Sequence, residues 1–310
     1  MSSPSSEVTQ ALRRVRVVGE RAELIATRRA GAYQHLTLVS PGIAELARPG
    51  QFVSFAVAGG TSAHLLRRPC FVHEATPSRT YGGTIEVVVH PVGVGTRWLA
   101  QTAPHTVLDV LGPLGRSYPV PAQPVPCVLV AEGRGSAPLL WLARVLRSRG
   151  CPVHLVLGAR SESLLFGVVE ARRAVDDLVV VTADGACGLR AACADVLPGV
   201  LERVLESAAT AVVYASGPVA TMRDVAGVAA QYGVVCQVAL EGSMACTTGL
   251  CQACVVPVRT ADGSDHLVRT CSEGPVLRGD LLRWDMLEPE GHWNIAPEAL
   301  ARPGGQSWST

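Results

Sequence analysis

The sequence predicts a β-barrel plus α/β architecture with a small metal-binding module near the C-terminus. In the first third of the chain, Gly and Pro break short apolar runs every ten to fifteen residues, which is typical of antiparallel barrels and sandwiches. In the middle, apolar strands alternate with helical stretches, which indicates a parallel sheet with helices on both faces. Near the end, cysteines cluster with a spacing that metal centres use.

The composition excludes several classes of protein. The 310 residues exceed the usual size of one compact core, so two or three domains are expected. Hydrophobic residues make up 48% and charged residues 17%, which excludes disorder for most of the chain. The formal net charge of +1 provides no electrostatic attraction for nucleic acid or an anionic membrane.

The hydropathy pattern predicts a cytoplasmic protein. No run of about 18 uninterrupted apolar residues is present, so we expect no transmembrane helix. Residues 1–16 hold no apolar core of the kind that a signal peptide needs. Ten cysteines are too sparse over this length for a disulfide scaffold, and in a reducing compartment they point to metal or redox chemistry.

The N-terminal part is expected to form an antiparallel barrel over residues 10–122, after a disordered tail of residues 1–9 that is rich in Ser and Pro. One helix is predicted at Gly95–Gln101. The predicted strands are short apolar runs, at Val15–Val18, His35–Val39, Phe52–Val57, Thr84–Val89 and Thr106–Val110.

Residues 123–238 are expected to form a nucleotide-binding α/β domain, which a Pro-rich linker at Pro119–Pro126 joins to the barrel. A helix is predicted at Pro138–Arg149. The predicted parallel strands are Cys127–Val130, Val153–Gly158, Leu178–Thr182, Ala211–Tyr214 and Val234–Ala239.

The last part divides into a cysteine- and glycine-rich module, residues 239–288, and a tail, residues 289–310, that is extended or loosely docked. The module contains Cys246-x4-Cys251-x2-Cys254 and, after sixteen intervening residues, Cys271. This arrangement matches the spacing of plant-type [2Fe–2S] proteins. A zinc site or unrelated buried thiols are the alternatives, although zinc more often uses two C-x2-C pairs or mixed Cys and His ligands.

A glycine-rich turn at residues 130–138 is a candidate dinucleotide site. It follows a strand and opens a helix, so backbone amides around Gly133 and Gly135 and the helix N-terminus face a pyrophosphate. A tight structural turn is the alternative. Three more motifs end parallel strands, at 158–160, 182–185 and 216–218, where open α/β sheets bind ligands.

The barrel carries three further motifs. The alternative interpretation is that they are ordinary turns and strand ends of a barrel. Residues 67–72 hold a basic pair at a strand boundary, residues 93–96 lead into a short helix, and residues 112–115 form a turn. Their occurrence together, upstream of a nucleotide fold and a cysteine cluster, is what gives them weight.

With these motifs in order, residues 11–286 resemble the electron-transfer subunits of bacterial NAD-dependent dihydroorotate dehydrogenase, a family of ferredoxin reductase-like flavoproteins. The resemblance rests on short motifs in a specific order, of which the last cysteine followed by Gly-Pro-Val is the most diagnostic. They are Pro49-Gly50-Gln51-Phe52, Arg68-Pro69, Gly95-Thr96, Gly112-Pro113-Leu114-Gly115, Gly133-x-Gly135, Asp184-Gly185, Gly217-Pro218, Glu241…Met244-Ala245-Cys246 and Cys271-x-x-Gly274-Pro275-Val276.

The resemblance implies an FAD-binding barrel, an NADH-binding α/β domain and a [2Fe–2S] module. It further implies electron transfer from NAD(P)H through FAD and the cluster to a separate FMN-containing catalytic subunit of pyrimidine biosynthesis. Two such subunits and two catalytic subunits would form a heterotetramer. The choice between NADH and NADPH stays open.

The resemblance also assigns roles to individual residues, without a certain catalytic residue among them. The implied cluster ligands are Cys246, Cys251, Cys254 and Cys271. The implied flavin-side residues are Arg68, Pro69, Cys70, Phe71, His90, Gly95, Thr96 and Gly112. The implied nucleotide-side residues are Gly133, Gly135, Ser136, Arg160, Asp184, Gly217 and Pro218.

Four positions depart from the family pattern. Phe71 stands where the family has a Ser near the flavin N5, and His90 belongs to a pair that is usually aromatic and basic. Glu132 replaces a Gly in the nucleotide loop, where its carboxylate would repel a pyrophosphate unless it points away or pairs with Arg134. Thr247 replaces the Gly that follows the first cluster cysteine.

These departures keep other functions open. The partner is either the dihydroorotate dehydrogenase catalytic subunit or a paralogous flavoenzyme of specialised metabolism. A stand-alone NAD(P)H reductase for a diffusible acceptor is a second hypothesis. A non-catalytic structural or redox-sensing subunit is a third, which Phe71 and Glu132 allow.

Overall fold

The computed structural model describes residues 16–58, 64–78, 80, 82–240, 242–260 and 262–288. The tails predicted at 1–9 and 289–310 lie outside the described residues. Over the described ranges, no helix is long and apolar enough to cross a membrane.

The first described part is a closed barrel in which all neighbouring strands are antiparallel, as predicted. The strands lie in the order β1-β2-β5-β4-β3-β6. They are β1 (Val18–Ala30), β2 (Tyr33–Val39), β3 (Phe52–Phe55), β4 (Arg68–Thr76), β5 (Thr84–Val89) and β6 (Val107–Leu114). Two helices pack on the barrel, α1 (Pro41–Leu46) and α2 (Val94–Gln101).

Two sequence predictions in the barrel were wrong. The first strand was expected at Val15–Val18, but β1 starts at Val18 and runs through a charged segment. Hydrogen bonding to β2 and β6 on its two sides keeps this segment in the barrel, although its outward-facing side chains are polar. The expected turn at residues 112–115 begins inside β6, where Gly112 pairs with Val18. A Cβ at Gly112 would lie 2.7 Å from the Val53 side chain, so close packing explains this glycine.

The second part is a seven-stranded sheet in the order β10-β9-β8-β7-β11-β12-β15. Six of these strands are parallel, which confirms the predicted α/β architecture. They are β7 (Cys127–Glu132), β8 (Val153–Ala159), β9 (Asp177–Thr182), β10 (Leu189–Arg190), β11 (Val212–Ser216) and β12 (Val235–Ala239).

Helices cover both faces of this sheet, because successive residues of a strand point to opposite sides. Leu129 and Ala131 of β7 pack with α3 and α4, whereas Val128 and Val130 pack with α5 and α6. The helices are α3 (Ser136–Ser148), α4 (Val168–Ala174), α5 (Cys193–Ser207) and α6 (Val219–Gln231).

The cysteine-rich segment is joined to this sheet. It contains a hairpin of β13 (Val255–Arg259) and β14 (Asp265–Arg269), followed by β15 (Val276–Arg278). Strand β15 pairs antiparallel with β12 and forms an edge of the nucleotide sheet. The pattern of the sequence did not predict this strand, because three residues are too few to show a period.

Candidate functional site

The β13–β14 hairpin brings two of the four predicted cluster cysteines together. Cys254 immediately precedes β13 and Cys271 follows Thr270 at the end of β14, and the Thr270 amide donates to the Cys254 carbonyl at 3.0 Å. The two Sγ atoms lie 3.2 Å apart, and both side chains are buried. Strand pairing therefore juxtaposes two thiols that are seventeen positions apart in the sequence.

The other two cysteines lie on the loop before the hairpin. Cys246 is half-buried and Cys251 is exposed. The Cys246 sulfur accepts hydrogen bonds from the backbone amides of Thr248 and Cys251, at 3.4 Å each. Gly249 and Gln252 adopt positive φ angles of 84° and 58°, which turn the loop tightly and aim these amides inward.

The cluster loop favours thiolates. Burial raises the pKa of Cys246, but the amides of Cys251 and Thr248 outweigh it and lower that pKa to about 6. The hydrogen bond between the two thiols lowers the pKa of Cys254 to about 6 and raises the pKa of Cys271. Thiolate sulfurs with backbone donors and one exposed edge fit an iron–sulfur cluster.

The cluster loop is bonded to the barrel through Thr247. This side chain is buried, and its hydroxyl lies 3.0 Å from the hydroxyl of Ser54 on β3. The neighbouring strand β4 pairs with β3 and carries Phe71, which packs in one apolar group with Met244 ahead of the loop. The loop with the cysteines is thus seated on the strand that carries the predicted flavin residues.

On the flavin side, β4, the end of β5 and the start of α2 converge on a narrow cleft. Arg68 crosses the start of α2, where a Cβ on Gly95 would lie 2.4 Å from the Arg68 Nε. The hydroxyl of Thr96 accepts from the Gly93 amide at 2.9 Å and so caps this helix. The cleft is lined by Pro69, Cys70, Phe71, Val88, Val89, His90, Thr96, Arg134 and Ala137.

The glycine-rich turn opens a second cavity, of about 320 Å³, at the carboxyl end of the parallel sheet. His90 and Arg134 line both the cleft and this cavity, which makes the two sites neighbours. The cavity is lined by Tyr33, His90, Glu132, Gly133, Arg134, Gly135, Ala159, Arg160, Leu164, Ser216, Gly217, Pro218, Val219 and Ala239.

Glycine is required at this turn for two separate reasons. Gly133 has φ of +58°, a conformation that side chains disfavour. A Cβ on Gly135 would lie 2.2 Å from the carbonyl oxygen of Ser216, so β11 packs directly against the turn. A ligand can come close to the backbone at these glycines, and two guanidinium groups line the same cavity. Both features fit the binding of a dinucleotide.

The structure answers how Glu132 is accommodated. Its Oε2 accepts a hydrogen bond from the hydroxyl of Thr221 on α6, so its charge is directed toward the first turn of that helix. Thr221 is therefore a hydrogen-bond partner of the Glu132 carboxylate.

Tyr33 is a cavity residue that the sequence analysis missed. It starts β2, its hydroxyl donates to the carbonyl of Leu164 at 2.9 Å, and its ring centroid lies 5.0 Å from that of His90. Burial raises the pKa of Tyr33 to about 12. The pKa of His90 is lowered by burial and then by the charges of Arg134 and Arg160. Only the docking of the barrel against the sheet reveals Tyr33.

Five residues that the resemblance assigned to cofactors line neither the cleft nor the cavity. Two of them, Arg68 and Gly95, approach each other at the start of α2. Gly112 is in the wall of the barrel. Ser136 is buried and donates to the Gly133 carbonyl at 2.9 Å, which closes the turn. Asp184 accepts from the Ala186 amide at 3.0 Å within its own loop. The contacts of Ser136 and Asp184 hold the backbone of their own loops in place.

A family model matches the cysteine-rich segment. It describes the iron–sulfur cluster binding domain of dihydroorotate dehydrogenase B and covers residues 241–283. Two curated relatives are named electron transfer subunits of dihydroorotate dehydrogenase B (NAD+). The protein of Desulforamulus reducens is 32% identical over 79% of this chain and 90% of its own length. That of Geobacillus kaustophilus is 34% identical over 84% of this chain and 98% of its own.

Solved structures share the fold. NADH-dependent reduced ferredoxin–NADP oxidoreductase superposes with a TM-score of 0.72 at 27% identity, over 86% of this chain and 91% of its own. Phthalate dioxygenase reductase superposes with a TM-score of 0.53 at 19% identity, over 82% and 77%. The second likeness concerns the fold alone.

Proposed function

Because the chain belongs to the family of dihydroorotate dehydrogenase B electron transfer subunits, we propose that it carries electrons from NADH to an FMN-containing catalytic subunit that acts on dihydroorotate. The chain is an NAD(P)H-dependent electron-transfer flavoprotein of the ferredoxin reductase type. When bound, FAD accepts a hydride from the nicotinamide and releases single electrons, which the [2Fe–2S] cluster carries to the partner.

One observation carries the order of these sites. The dinucleotide cavity and the flavin cleft share His90 and Arg134, and the residues on the other side of the cleft, Phe71 and its neighbours, pack on the cluster loop. This adjacency supports the order of donor site, flavin site and cluster site. Short distances between successive sites favour stepwise electron transfer.

The chain's own residues hold the cofactors in that order. Arg134 and Arg160 offer guanidinium groups to dinucleotide phosphates, and the glycines of the turn admit the pyrophosphate to backbone amides. Arg68 and the capped start of α2 offer donors for the flavin phosphates. Phe71 brings an aromatic face, and no hydroxyl, to the flavin cleft.

The exposed edge of the cluster loop is the proposed docking point for the catalytic subunit. Cys251 is exposed, and the adjacent Leu250 side chain is 83% exposed, which places an apolar group next to a cluster ligand. A partner that covers this edge shortens the path from the cluster to its own flavin. We propose that the pair works in the cytoplasm.

The test is anaerobic addition of NADH to the purified holoprotein. Bleaching of the flavin absorption, followed by the paramagnetic signal of the reduced cluster, is the expected result. Failure of NADH to bleach the flavin contradicts the proposal and favours the structural or redox-sensing alternative.

Partner dependence separates the remaining alternatives. Co-purification with an FMN protein, and dihydroorotate-dependent NAD+ reduction by the pair, are expected. Full turnover by the isolated chain with a diffusible acceptor favours the stand-alone reductase. An FMN partner that acts on another substrate favours the paralogous flavoenzyme.

A further inference from the structure

Two histidines and two glutamates converge where the barrel meets the nucleotide domain, and none of the four lines the flavin cleft or the dinucleotide cavity. His35 lies on β2, His73 on β4, Glu86 on β5 and Glu170 on α4. We propose that these four side chains bind a divalent transition-metal ion of the zinc class. The inference does not depend on the proposed electron transfer.

The sheet brings three of these residues to one spot. Strand β5 lies between β2 and β4, and Glu86 pairs with Thr37 on one side and with Glu74 on the other. The β4–β5 ladder shifts register between Val72 and Glu74, and His73 occupies that irregularity. Such irregularities re-aim side chains. The ligand atoms of His35, His73 and Glu86 lie within 4.8 Å of one another.

A backbone carbonyl fixes the orientation of the His73 ring. His73 is 3% exposed, and its Nδ1 lies 2.9 Å from the carbonyl oxygen of Ala137 on α3. A carbonyl only accepts, so Nδ1 carries the proton. The Nε2 atom faces Glu170 Oε2 at 3.3 Å. Burial lowers the pKa of His73, but the contact with Glu170 outweighs it and raises that pKa, so an ion that binds here displaces the proton on Nε2. A backbone carbonyl that fixes a histidine in this way is the usual support of a metal ligand.

His35 presents a buried nitrogen with poor hydrogen-bond geometry. Its Nε2 lies 2.9 Å from Glu86 Oε2, yet it makes no well-aligned hydrogen bond within the described part of the chain. Its Nδ1 contacts Arg28 at 3.2 Å. The Arg28 side chain is exposed, so it turns to solvent when ion binding at Nε2 moves the proton to Nδ1.

Glu170 divides its two oxygens between different tasks. Oε1 accepts from Arg144, which also pairs with Glu74 at 3.0 Å, while Oε2 faces His73. The carboxylate is thus oriented by a guanidinium on one side and free to ligate on the other. Two neutral imidazoles and two carboxylates balance the charge of a divalent ion.

The distances suit tetrahedral zinc. Ligands at about 2.0–2.2 Å from the ion lie roughly 3.3–3.6 Å apart. The Nε2–Oε2 distance is 3.3 Å from His73 to Glu170 and 2.9 Å from His35 to Glu86, so small movements suffice within each pair. The ligand atoms of His35, His73 and Glu86 lie up to 4.8 Å apart, so the two pairs must move closer together to share one ion. The rings of His35 and His73 meet edge to face at 5.2 Å, and Phe166 packs against both. An open cavity of about 710 Å³, lined by Glu170, Arg144 and Phe166, supplies the entry path.

The test is calorimetric titration of Zn²⁺ into holoprotein whose cysteines already hold the cluster. One ion per chain is expected. His35→Gln and His73→Gln should each lower the affinity by about 100-fold or more, because loss of a supporting residue alone costs 10- to 100-fold. The matched control is His105→Gln, an exposed histidine whose Nδ1 lies 2.9 Å from Glu23 Oε1. Its affinity for Zn²⁺ should equal that of the parent.

Absence of a stoichiometric Zn²⁺ site in the parent overturns the proposal, as does undiminished binding in both histidine variants. Glu86→Gln, which changes a half-exposed carboxylate without changing its size, keeps the test valid where the buried His73 variant does not fold. Anomalous diffraction at the zinc edge should place the ion among the four side chains. Flavin bleaching by NADH is measured separately, so failure of either proposal leaves the other intact.

Discussion

The hydroxyls of Thr247 and Ser54 lie 3.0 Å apart and form a hydrogen bond that ties the cluster loop to barrel strand β3. Thr247 has φ of +63°, a value at which a β-branched residue is strained by about 1–3 kcal/mol. The resemblance described in the sequence analysis implies glycine at this position, and glycine is free of that strain. In this chain the buried hydrogen bond between Thr247 and Ser54 offsets part of that strain.

Thr247→Ala should therefore destabilise the protein. The alanine keeps the strained φ and leaves the Ser54 hydroxyl, which is fully buried, without this partner. Loss of such a contact costs about 1–3 kcal/mol. Thermal unfolding followed by flavin release measures it. Thr247→Ser retains the hydroxyl and should unfold close to the parent temperature; equal losses in both variants would contradict the role of the hydrogen bond.

Cys251→Ser should remove the cluster and spare the flavin. The side chain is exposed at the edge of the loop, so its loss disturbs a metal ligand without opening the core. The measurement is the paramagnetic signal of the reduced protein alongside its flavin absorption. Cys187→Ser is the matched control, since Cys187 lies outside the cluster loop and is also partly exposed. An unchanged cluster signal in Cys251→Ser would refute the ligand assignment.

Gly135→Ala and Gly227→Ala should shift stability in opposite directions. The first Cβ meets the Ser216 carbonyl at 2.2 Å, so backbone must move, at a cost of about 1–3 kcal/mol. The second, on α6, meets no atom within 4 Å and should stabilise the helix by about 1 kcal/mol. Thermal melts with and without NADH compare them. A stable Gly135→Ala protein that binds NADH normally would show that the turn can move.

Arg160→Ala should weaken dinucleotide binding. A charged hydrogen bond to phosphate contributes about 1.5–3 kcal/mol, or roughly 10- to 100-fold in affinity. Steady-state KM for NADH and NADPH gives the effect, and a larger loss for NADPH would assign Arg160 to the 2′-phosphate. Arg172→Ala, an exposed position on α4, is the control for charge alone. Equal KM values in parent and Arg160→Ala would place the phosphates elsewhere.

NADH affinity should rise as pH falls below about 6.5. Burial and the charges of Arg134 and Arg160 lower the pKa of His90 from its ordinary 6.5, so the free protein holds it neutral. Dinucleotide phosphates offset those positive charges and raise that pKa, so binding takes up a proton in this window. Binding titrations from pH 5.5 to 8 should show the rise. It should persist in His154→Asn and vanish in His90→Asn.

The fold was predictable where the sequence repeats a local rule. The apolar runs from Cys127 onward alternate with helical segments, and this alternation predicts the parallel sheet. The spacing of the cysteines predicts an iron–sulfur cluster without any tertiary information. Tyr33 and Arg134 could not be placed in one cavity, because they meet only when the barrel docks on the sheet. The contact between His73 and Glu170 depends on a register shift between two strands and on the position of a helix. The sequence around residue 73 predicts neither of them.

Local motifs also overstated some contacts. Asp184-Gly185 lies at the end of a parallel strand, where ligands bind, yet the Asp184 carboxylate is used by its own loop. The Ser136 hydroxyl was expected to contact the nucleotide. It donates to the Gly133 carbonyl and so closes the turn. Short polar side chains satisfy nearby amides and carbonyls first, which a motif of residue types does not register.

Strand β15 has a consequence for how such proteins can be rearranged. It follows the last cluster cysteine by five residues and completes the edge of the nucleotide sheet beside β12. Cutting the chain after β12 to graft a different cluster module would leave a row of unpaired amides and carbonyls on that edge. The cluster module is therefore not an interchangeable cassette, because any replacement must bring a strand of its own.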